Sequence, residues 1–489
     1  MEDPKAEKID TPPIDETSNE AENEFYVDPV KEVKLLAKLD LAFTPIIMLV
    51  YLSCFLDRSN IGNVKVAGML KDIHATDQQF STAVSIFYAT YVTFETPAAV
   101  LMKKLTPRVI LATLCCVWSL TTIFTSFVQN IGGLYATRLI LGACEAGLFP
   151  CLNLYLTMVY RREEQAKRVA YLFSCSALSG AFGGLLAYAL LQMDGISGVA
   201  GWSLVPQRRR EGDDEMPKRP EKTISWFAPS INLYSNYLLN GICIGSEKFD
   251  WAEVRIALTD PKLYMSGLIQ FMQDILLYGF STFLPSILKA MKYDTLQSNY
   301  LTIPVYIWGA ISFLCIAWIS DRYQIRGPVS IPLSRSLSEA KLTYLQLVIF
   351  ANIFGIIGYI LLLTVKQNGV KYFATYLCAI AVYVGPGINL TWLNVNIAPH
   401  YRRATAIGFQ QTMGNTAGIV AGQIYRTAPY KLGNSFSLGA LCLSQVLIAG
   451  KVIYVRRQNK LKDDIGSGKR EDTRKVSTGD RELDFKYHI

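Results

Sequence analysis

The chain has 489 residues, of which 51% are hydrophobic and 18% are charged, and its mean hydropathy is +0.23. Soluble domains carry about a quarter charged residues, so this balance excludes an ordinary soluble enzyme and indicates a membrane protein. The net charge of +8 lies mostly in short loops between apolar runs. It is therefore not the continuous basic surface of a nucleic-acid-binding protein, and no nucleic-acid partner is expected.

Apolar stretches of about 20 residues, each long enough to cross a bilayer, recur along the chain. A polar and acidic stretch, residues 1–38, precedes them and predicts a disordered cytosolic tail. The fold class that follows is an all-α polytopic membrane protein whose surroundings are the lipid bilayer. The apolar stretches lie near 41–61, 80–102, 109–130, 131–158, 168–192, 262–288, 298–319, 345–364, 372–396, 405–425 and 434–455.

Basic residues are concentrated in alternate loops between these stretches. The loop that follows the fourth stretch carries Arg161 and Arg162, and the loop before the tenth carries Arg402 and Arg403. By the positive-inside rule these loops face the cytosol. The same alternation places both termini of this multi-pass protein in the cytosol.

The middle of the chain conflicts with this topology. A return crossing should begin near Trp202, but a strongly charged run follows at 207–214. The stretch 224–245 can supply a sixth crossing only poorly, because it contains a proline and three asparagines. Two interpretations stay open for 203–245: a gene-model error such as a translated intron, or a genuine but poor helix.

The apolar stretches and the polar segments between them divide the chain into five parts. Residues 1–38 are the tail, and 39–202 form an N-terminal transmembrane half with five helices. Residues 203–261 are the atypical sixth-helix region and central loop. Residues 262–456 form the C-terminal transmembrane half, and 457–489 form a second cytosolic tail.

Two pairs of ionisable residues lie inside apolar stretches, where each charge costs at least ~2.5–3.5 kcal/mol to insert. Asp57 and Arg58 are adjacent near the end of the first stretch, and Glu145 follows Arg138 by seven residues in the fourth. Seven residues are about two helical turns, so Arg138 and Glu145 share one helix face. Gly142 between them allows a neighbouring helix to approach closely. We therefore expect all four side chains to reach a common cavity.

The chemistry of these groups suggests a division of roles. An arginine stays charged and binds a carboxylate through its planar fork, which favours anion binding or gating by Arg58 and Arg138. A carboxylate between burial and a nearby arginine can gain or lose a proton, which favours proton coupling by Asp57 and Glu145. The alternative is that Asp57–Arg58 and Arg138–Glu145 are static structural ion pairs.

Further polar residues in the apolar stretches are candidates for the solute path. Glu95, beside Pro97, is either a gating partner or a side chain that bonds backbone groups freed at the proline. Asp274 is the acid in the middle of a C-terminal stretch. Residues that either bind the solute or pack helices together are Trp392, Asn396 and Asn415.

Other chemistries find no support in the sequence. The three histidines, 74, 400 and 489, lie in loops or the tail, so a histidine proton relay is excluded. The ten cysteines have no metal-type spacing, and neither a metal nor another cofactor is expected. A Gly-x4-Gly-Lys-Ser/Thr run is missing, which argues against an ATP-driven pump.

Two segments carry a resemblance to a known family. Residues 57–63 read Asp-Arg-Ser-Asn-Ile-Gly-Asn, and residues 138–150 read Arg-Leu-Ile-Leu-Gly-Ala-Cys-Glu-Ala-Gly-Leu-Phe-Pro. They resemble the major facilitator superfamily, and more narrowly its fungal anion:cation symporters, the allantoate, nicotinate and pantothenate permease-like proteins. The resemblance covers roughly 35–200 and 246–455.

The resemblance implies a fold of two six-helix halves, about 12 transmembrane helices, around a central site. It implies a monomeric secondary active transporter, not an enzyme, that moves a small organic anion together with protons by alternating access. It also assigns a gating loop to Asp321 and Arg322. An exporter of a fungal secondary metabolite and a non-transporting nutrient sensor of the same fold remain alternatives.

Overall fold

The computed structural model describes residues 29–104, 107–125, 127–152, 162–192, 251–323, 344–398, 400–472 and 479–487. Within these ranges all the regular elements are helices. The predicted sixth-helix region lies outside the described residues as far as residue 250, and so does the proposed gene-model error at 203–245. The contacts of the candidate site lie within one compact unit, Ile46–Ile489.

The N-terminal half begins with a helix that starts within the predicted disordered tail, at Pro29. A left-handed glycine, Gly68 with φ 113°, separates this first helix from a short second one. Asn130 starts the fifth helix by accepting a hydrogen bond from the Gly133 amide at 2.8 Å. The helices are α1 Pro29–Ala67, α2 Met69–Asp72, α3 Asp77–Lys104, α4 Pro107–Thr125, α5 Ile131–Glu145 and α6 Arg162–Gln192.

The C-terminal half contains four of the five described spans that are long and apolar enough to cross a membrane. Asp260 starts one of them by accepting from the Lys262 amide at 2.9 Å, with Pro261 in the first turn. The last helix runs to Gly466, beyond the predicted end of the transmembrane half. The helices are α7 Trp251–Leu258, α8 Pro261–Ala290, α9 Thr295–Tyr300, α10 Thr302–Tyr323, α11 Tyr344–Thr364, α12 Asn368–Val395, α13 His400–Asn415, α14 Ala417–Ile424 and α15 Lys431–Gly466, followed by a 3₁₀ turn, Gly479–Arg481.

Ten of the eleven apolar stretches predicted from the sequence coincide with a described helix or with a consecutive pair of helices, and the stretch 131–158 does so as far as Glu145. The stricter criterion of length and hydropathy is met in the described residues by five spans. The other helices are shorter or carry more polar residues. The five spans are Leu36–Ala67, Pro261–Ala290, Thr295–Ile319, Asn368–Val395 and Lys431–Gly466.

Two glycines mark the closest helix approaches around the site. A Cβ on Gly142 of α5 would lie 2.3 Å from the Phe87 carbonyl oxygen of α3. A Cβ on Gly62 of α1 would lie 1.9 Å from the Thr282 carbonyl oxygen of α8. The close approach predicted at Gly142 is therefore confirmed, and Gly62 makes a similar one between the two halves.

The two halves also meet at the last turn of α1, which contains Lys65 and Val66 and which we call the Lys65 end. The Lys289 ammonium of α8 donates to the Val66 carbonyl at 2.9 Å. Gln423 of α14 donates to the Ser85 hydroxyl of α3, also at 2.9 Å. Direct hydrogen bonds thus hold the halves together at this end.

Candidate functional site

A buried ion pair joins α1 to α5 in the N-terminal half. Arg58 Nε lies 2.7 Å from Glu145 Oε2, and the two side chains are 7% and 0% exposed. The thiol of Cys54 donates to the same carboxylate oxygen at 3.2 Å. Three aromatic rings surround the guanidinium, and such contacts stabilise a desolvated cation. They belong to Tyr91 at 4.5 Å, Phe55 at 4.9 Å and Phe87 at 5.5 Å.

The partner of Glu145 is therefore Arg58 and not Arg138. Arg138 is buried on the same helix, and among the described residues its Nε has no hydrogen-bond partner. The second carboxylate oxygen of Glu145, Oε1, is also buried without a partner there. The predicted alternative of a static Arg138–Glu145 pair is wrong, because Glu145 reaches across to α1 instead.

Asp57 also has partners that the sequence did not indicate. Its carboxylate accepts from Trp118 Nε1 at 2.7 Å and from the Thr122 hydroxyl at 3.1 Å, both on α4. Consecutive residues of a helix point about 100° apart, so Asp57 faces α4 while Arg58 faces α5. The predicted alternative of an Asp57–Arg58 ion pair is therefore wrong, and Asp57 lies beside the cluster of Arg58, Arg138 and Glu145 rather than within it.

Glu95 of α3 connects the two halves. Both oxygens of its buried carboxylate accept from Asn415 Nδ2 at 3.1 Å. The Asn415 side-chain oxygen in turn accepts from the Tyr278 hydroxyl of α8. Glu95 thus bonds a side chain of the other half rather than backbone groups freed at Pro97.

The remaining sequence candidates lie elsewhere. Trp392 of α12 lies under the ammonium of Lys451, with 3.6 Å between the nitrogen and the ring centroid. Asn396 donates to the Trp392 carbonyl at 2.9 Å, at the end of the same helix. The side chains of Asp321 and Arg322, near the end of α10, lie outside the described residues.

A second buried charge cluster, which we call the Asp480 cluster, lies where α8 begins. Asp480, fully buried, contacts the Lys262 ammonium at 2.8 Å and the Arg402 guanidinium. Lys462 donates to the Asp480 carbonyl at 2.7 Å, and the Tyr487 hydroxyl donates to its carboxylate at 3.3 Å. Burial raises the pKa of the Asp480 carboxyl, but the neighbouring Lys262 and Arg402 together bring it below its ordinary value.

Several buried polar residues of the C-terminal half were not predicted from the sequence. Lys451 lies inside a predicted apolar stretch and was not singled out, although a lysine at that depth indicates a functional residue. Gln270 and Asn389 gave no signal, because uncharged amides are common in transmembrane helices. No group of three or more His, Cys, Asp or Glu side chains suited to a metal ion occurs in the part of the chain that the structure describes.

Comparison with known proteins decides the family. The sequence profile of the Major Facilitator Superfamily matches residues 47–422. The chain belongs to the major facilitator superfamily. An uncharacterized transporter of Schizosaccharomyces pombe is 44% identical to it, over 93% of this chain and 90% of the relative. The high-affinity nicotinic acid transporter of Saccharomyces cerevisiae is 31% identical, over 88% of this chain and 79% of the relative.

Solved structures agree on the fold of this superfamily member. A bacterial homologue of the human lysosomal transporter Spinster, inward-facing and occupied, superposes with a TM-score of 0.60 at 15% identity, over 84% of this chain and 96% of that one. The human organic anion transporter MFSD10 gives 0.59 at 13% identity, over 82% and 98%. The predicted family and fold class are confirmed. The protein is an integral membrane transporter of small molecules and not an enzyme.

Proposed function

We propose that this transporter is a symporter that moves a small organic carboxylate together with protons. The buried Arg58–Glu145 pair, with Arg138 on the same helix as the glutamate, is the observation that carries the proposal. It offers two permanent cations and one acid that can change its charge. The nicotinic acid transporter among the relatives moves a solute of this chemical class, which supports the same conclusion.

The geometry suggests how proton and anion would bind together. While Glu145 is ionised, it neutralises Arg58 and occupies one edge of the guanidinium fork. Protonation of Glu145 removes that charge, and the arginines can then accept a solute carboxylate in its place. Binding is charge-balanced only when both ligands are present, because a carboxylate entering beside an ionised Glu145 meets a like charge.

The other residues would take supporting roles. Asp57 is a second candidate for proton binding, held by Trp118 and Thr122 on α4. Glu95 is a candidate gate, because its bond to Asn415 joins the halves and must change if they move apart. Trp392 and Asn396 would act further from the ion pair, through the packing of α12.

We infer the orientation from the basic loops. By the positive-inside rule the termini face the cytosol, and the Lys65 end of the bundle faces outward. In this arrangement the contacts between Lys289 and Val66 close the outer side of the transporter. We place the protein in the cell membrane as a monomer that carries its solute inward.

Uptake into proteoliposomes with an imposed pH gradient tests the proposal. Nicotinate, benzoate, lactate and succinate serve as labelled probes, and the wild type should accumulate at least one of them when the outside is acidic. Glu145→Gln should abolish this accumulation while leaving some exchange of solute for solute, since the arginines remain. Glu471→Gln, at an exposed position, is the matched control. Full gradient-driven uptake by Glu145→Gln would contradict the assignment, and flux in the opposite direction would favour an exporter.

A further inference from the structure

The last helix contains a buried cation that the mechanism above does not use. Lys451 of α15 is 2% exposed. Its ammonium donates to the Ser266 hydroxyl at 2.6 Å and lies 3.6 Å from the centroid of the Trp392 ring. Among the described residues no carboxylate lies within ion-pair distance of it. A buried ammonium with only neutral contacts is costly, and a counter-charge that acts through intervening polar groups would lower that cost.

Asp274 of α8 is a buried acid that lacks a nearby cation among the described residues. Asp274 is 3% exposed, and both of its oxygens accept from Gln270 Nε2 at 3.1 Å. In the part of the chain that the structure describes, no lysine or arginine reaches it. Gly414 of α13 packs directly on the carboxylate, since a Cβ there would lie 2.4 Å from Asp274 Oδ2.

Three polar side chains connect these two charges. The Ser266 hydroxyl, which accepts from Lys451, donates to Asn389 Oδ1 at 3.4 Å. Asn389 Nδ2 donates to Gln270 Oε1 at 2.9 Å. Gln270 then donates to Asp274. Every bond donates in the same direction, from the ammonium toward the carboxylate.

The common direction of these bonds has an energetic consequence. Each relay group turns its acceptor oxygen toward the cation and its donor toward the anion. The aligned dipoles therefore stabilise both charges at once, and bonds in such a chain strengthen one another. The hydrogen-bond chain thus stabilises two separated charges, as direct contact stabilises the charges of Arg58 and Glu145.

We propose that Lys451 and Asp274 form a relay-separated charge pair, and that Asp274 is a further proton-binding site of the transporter with Lys451 as its positioning residue. The proposal rests on the proposed proton-coupled function. It adds a charge-changing group to the half that lacks the Arg58–Glu145 pair. The titratable groups that face Asp274 are Glu95 and Tyr88 of α3 and Tyr278 of α8, and Lys262 faces Lys451.

The position of Asp274 links its charge to the contact between the halves. It packs on Gly414, and the next residue, Asn415, donates to Glu95 of α3. A proton on Asp274 removes the negative end of the chain and leaves the Lys451 charge uncompensated. That excess positive charge favours an anionic solute between the halves, and release of the proton restores neutrality. Proton and anion binding therefore support each other in this half as well.

Single and double charge removals test the pairing. Asp274→Asn and Lys451→Met each leave one buried charge without its counterpart, so each should lower the Tm of the detergent-purified protein. The double variant Asp274→Asn/Lys451→Met removes both charges and should recover most of the lost Tm.

Lys460→Met, at an exposed position of the same helix, is the control. If a single variant yields no folded protein, recovery of monodisperse protein in the double variant is the same readout. If the Tm of the double variant is no higher than that of the less stable single variant, the pairing is overturned.

The pH profile of transport tests the proton site. In proteoliposomes, gradient-driven uptake by the double variant should lose part of the dependence on external pH that the wild type shows. A structural pair would restore Tm and leave the pH profile unchanged, and that result would overturn the role of Asp274 as a proton site. The Tm comparison does not depend on transport. Failure of the wild type to accumulate any carboxylate under a pH gradient would thus count against the proposed function and not against the pairing.

Discussion

The two halves of the transporter stabilise their buried charges in different ways. In the N-terminal half Arg58 contacts Glu145 at 2.7 Å, across a single helix interface. In the C-terminal half the bond chain from Lys451 to Asp274 passes through Ser266, Asn389 and Gln270 on two helices. A direct pair is disrupted as soon as its acid is protonated or a competing anion arrives. A relay holds its end charges apart, so each can change while the polar groups between them keep most of their bonds.

Removal of the cation from the direct pair should have the largest effect. Arg58→Met leaves the Glu145 carboxylate buried without a counter-charge, which for a broken buried pair costs about 3–5 kcal/mol. We expect this loss in the free energy of unfolding, measured by denaturant titration in detergent, together with loss of solute uptake. Arg457→Met, at an exposed position, is the control. A loss smaller than that of Lys451→Met would show that the direct pair is not the stronger of the two.

The direct pair also depends on how closely α5 approaches α3. Gly142→Ala places a Cβ 2.2 Å from Thr90 Oγ1 and 2.3 Å from the Phe87 carbonyl oxygen. The helices must separate, which for overpacking costs about 1–3 kcal/mol and moves Glu145 away from Arg58. Uptake should fall along with the Tm. Gly439→Ala, where the added Cβ meets nothing within 4 Å, should leave both unchanged.

In the Asp480 cluster, by contrast, Lys262 and Arg402 of the C-terminal half pair directly with a carboxylate of the last segment. The pKa of Asp480 lies below its ordinary value of 3.8. Its ionised form therefore stabilises the fold at neutral pH, and this stabilisation is lost as the pH falls through the folded-state pKa. We expect the Tm of the wild type to drop at acidic pH, and Asp480→Asn to show a smaller drop from a lower starting value. Asp484→Asn, at an exposed position, should follow the wild type.

The sequence predicted the helices well because their signal is local. The apolar stretches and the Arg138-to-Glu145 spacing follow from length, hydropathy and helical period alone, and both appear in the described helices. The pairing of charges was not predictable in this way. It depends on the rotation of α1 against α4 and α5, which places Asp57 on Trp118 and Arg58 on Glu145.

The relay of the C-terminal half was still harder to predict. Its members lie on three helices, and Ser266 and Lys451 are separated by 185 positions along the chain. Only Asp274 and Lys451 are charged, and nothing in the sequence indicates that the two are connected. The bonds between them follow from the packing of α8 against α12 and α15, which no single stretch of sequence specifies.

Coupling of proton and solute movement by Glu145 is tested most directly by measuring both in the same vesicles. Purified protein is reconstituted with a pH-sensitive dye inside, and a carboxylate that the wild type accumulates is added outside without a pH gradient. If Glu145 couples protons to the solute, the lumen acidifies as solute enters, and Glu145→Gln exchanges solute without acidification. Solute entry into wild-type vesicles without proton movement, or equal acidification by Glu145→Gln, would contradict the claim that Glu145 couples the two.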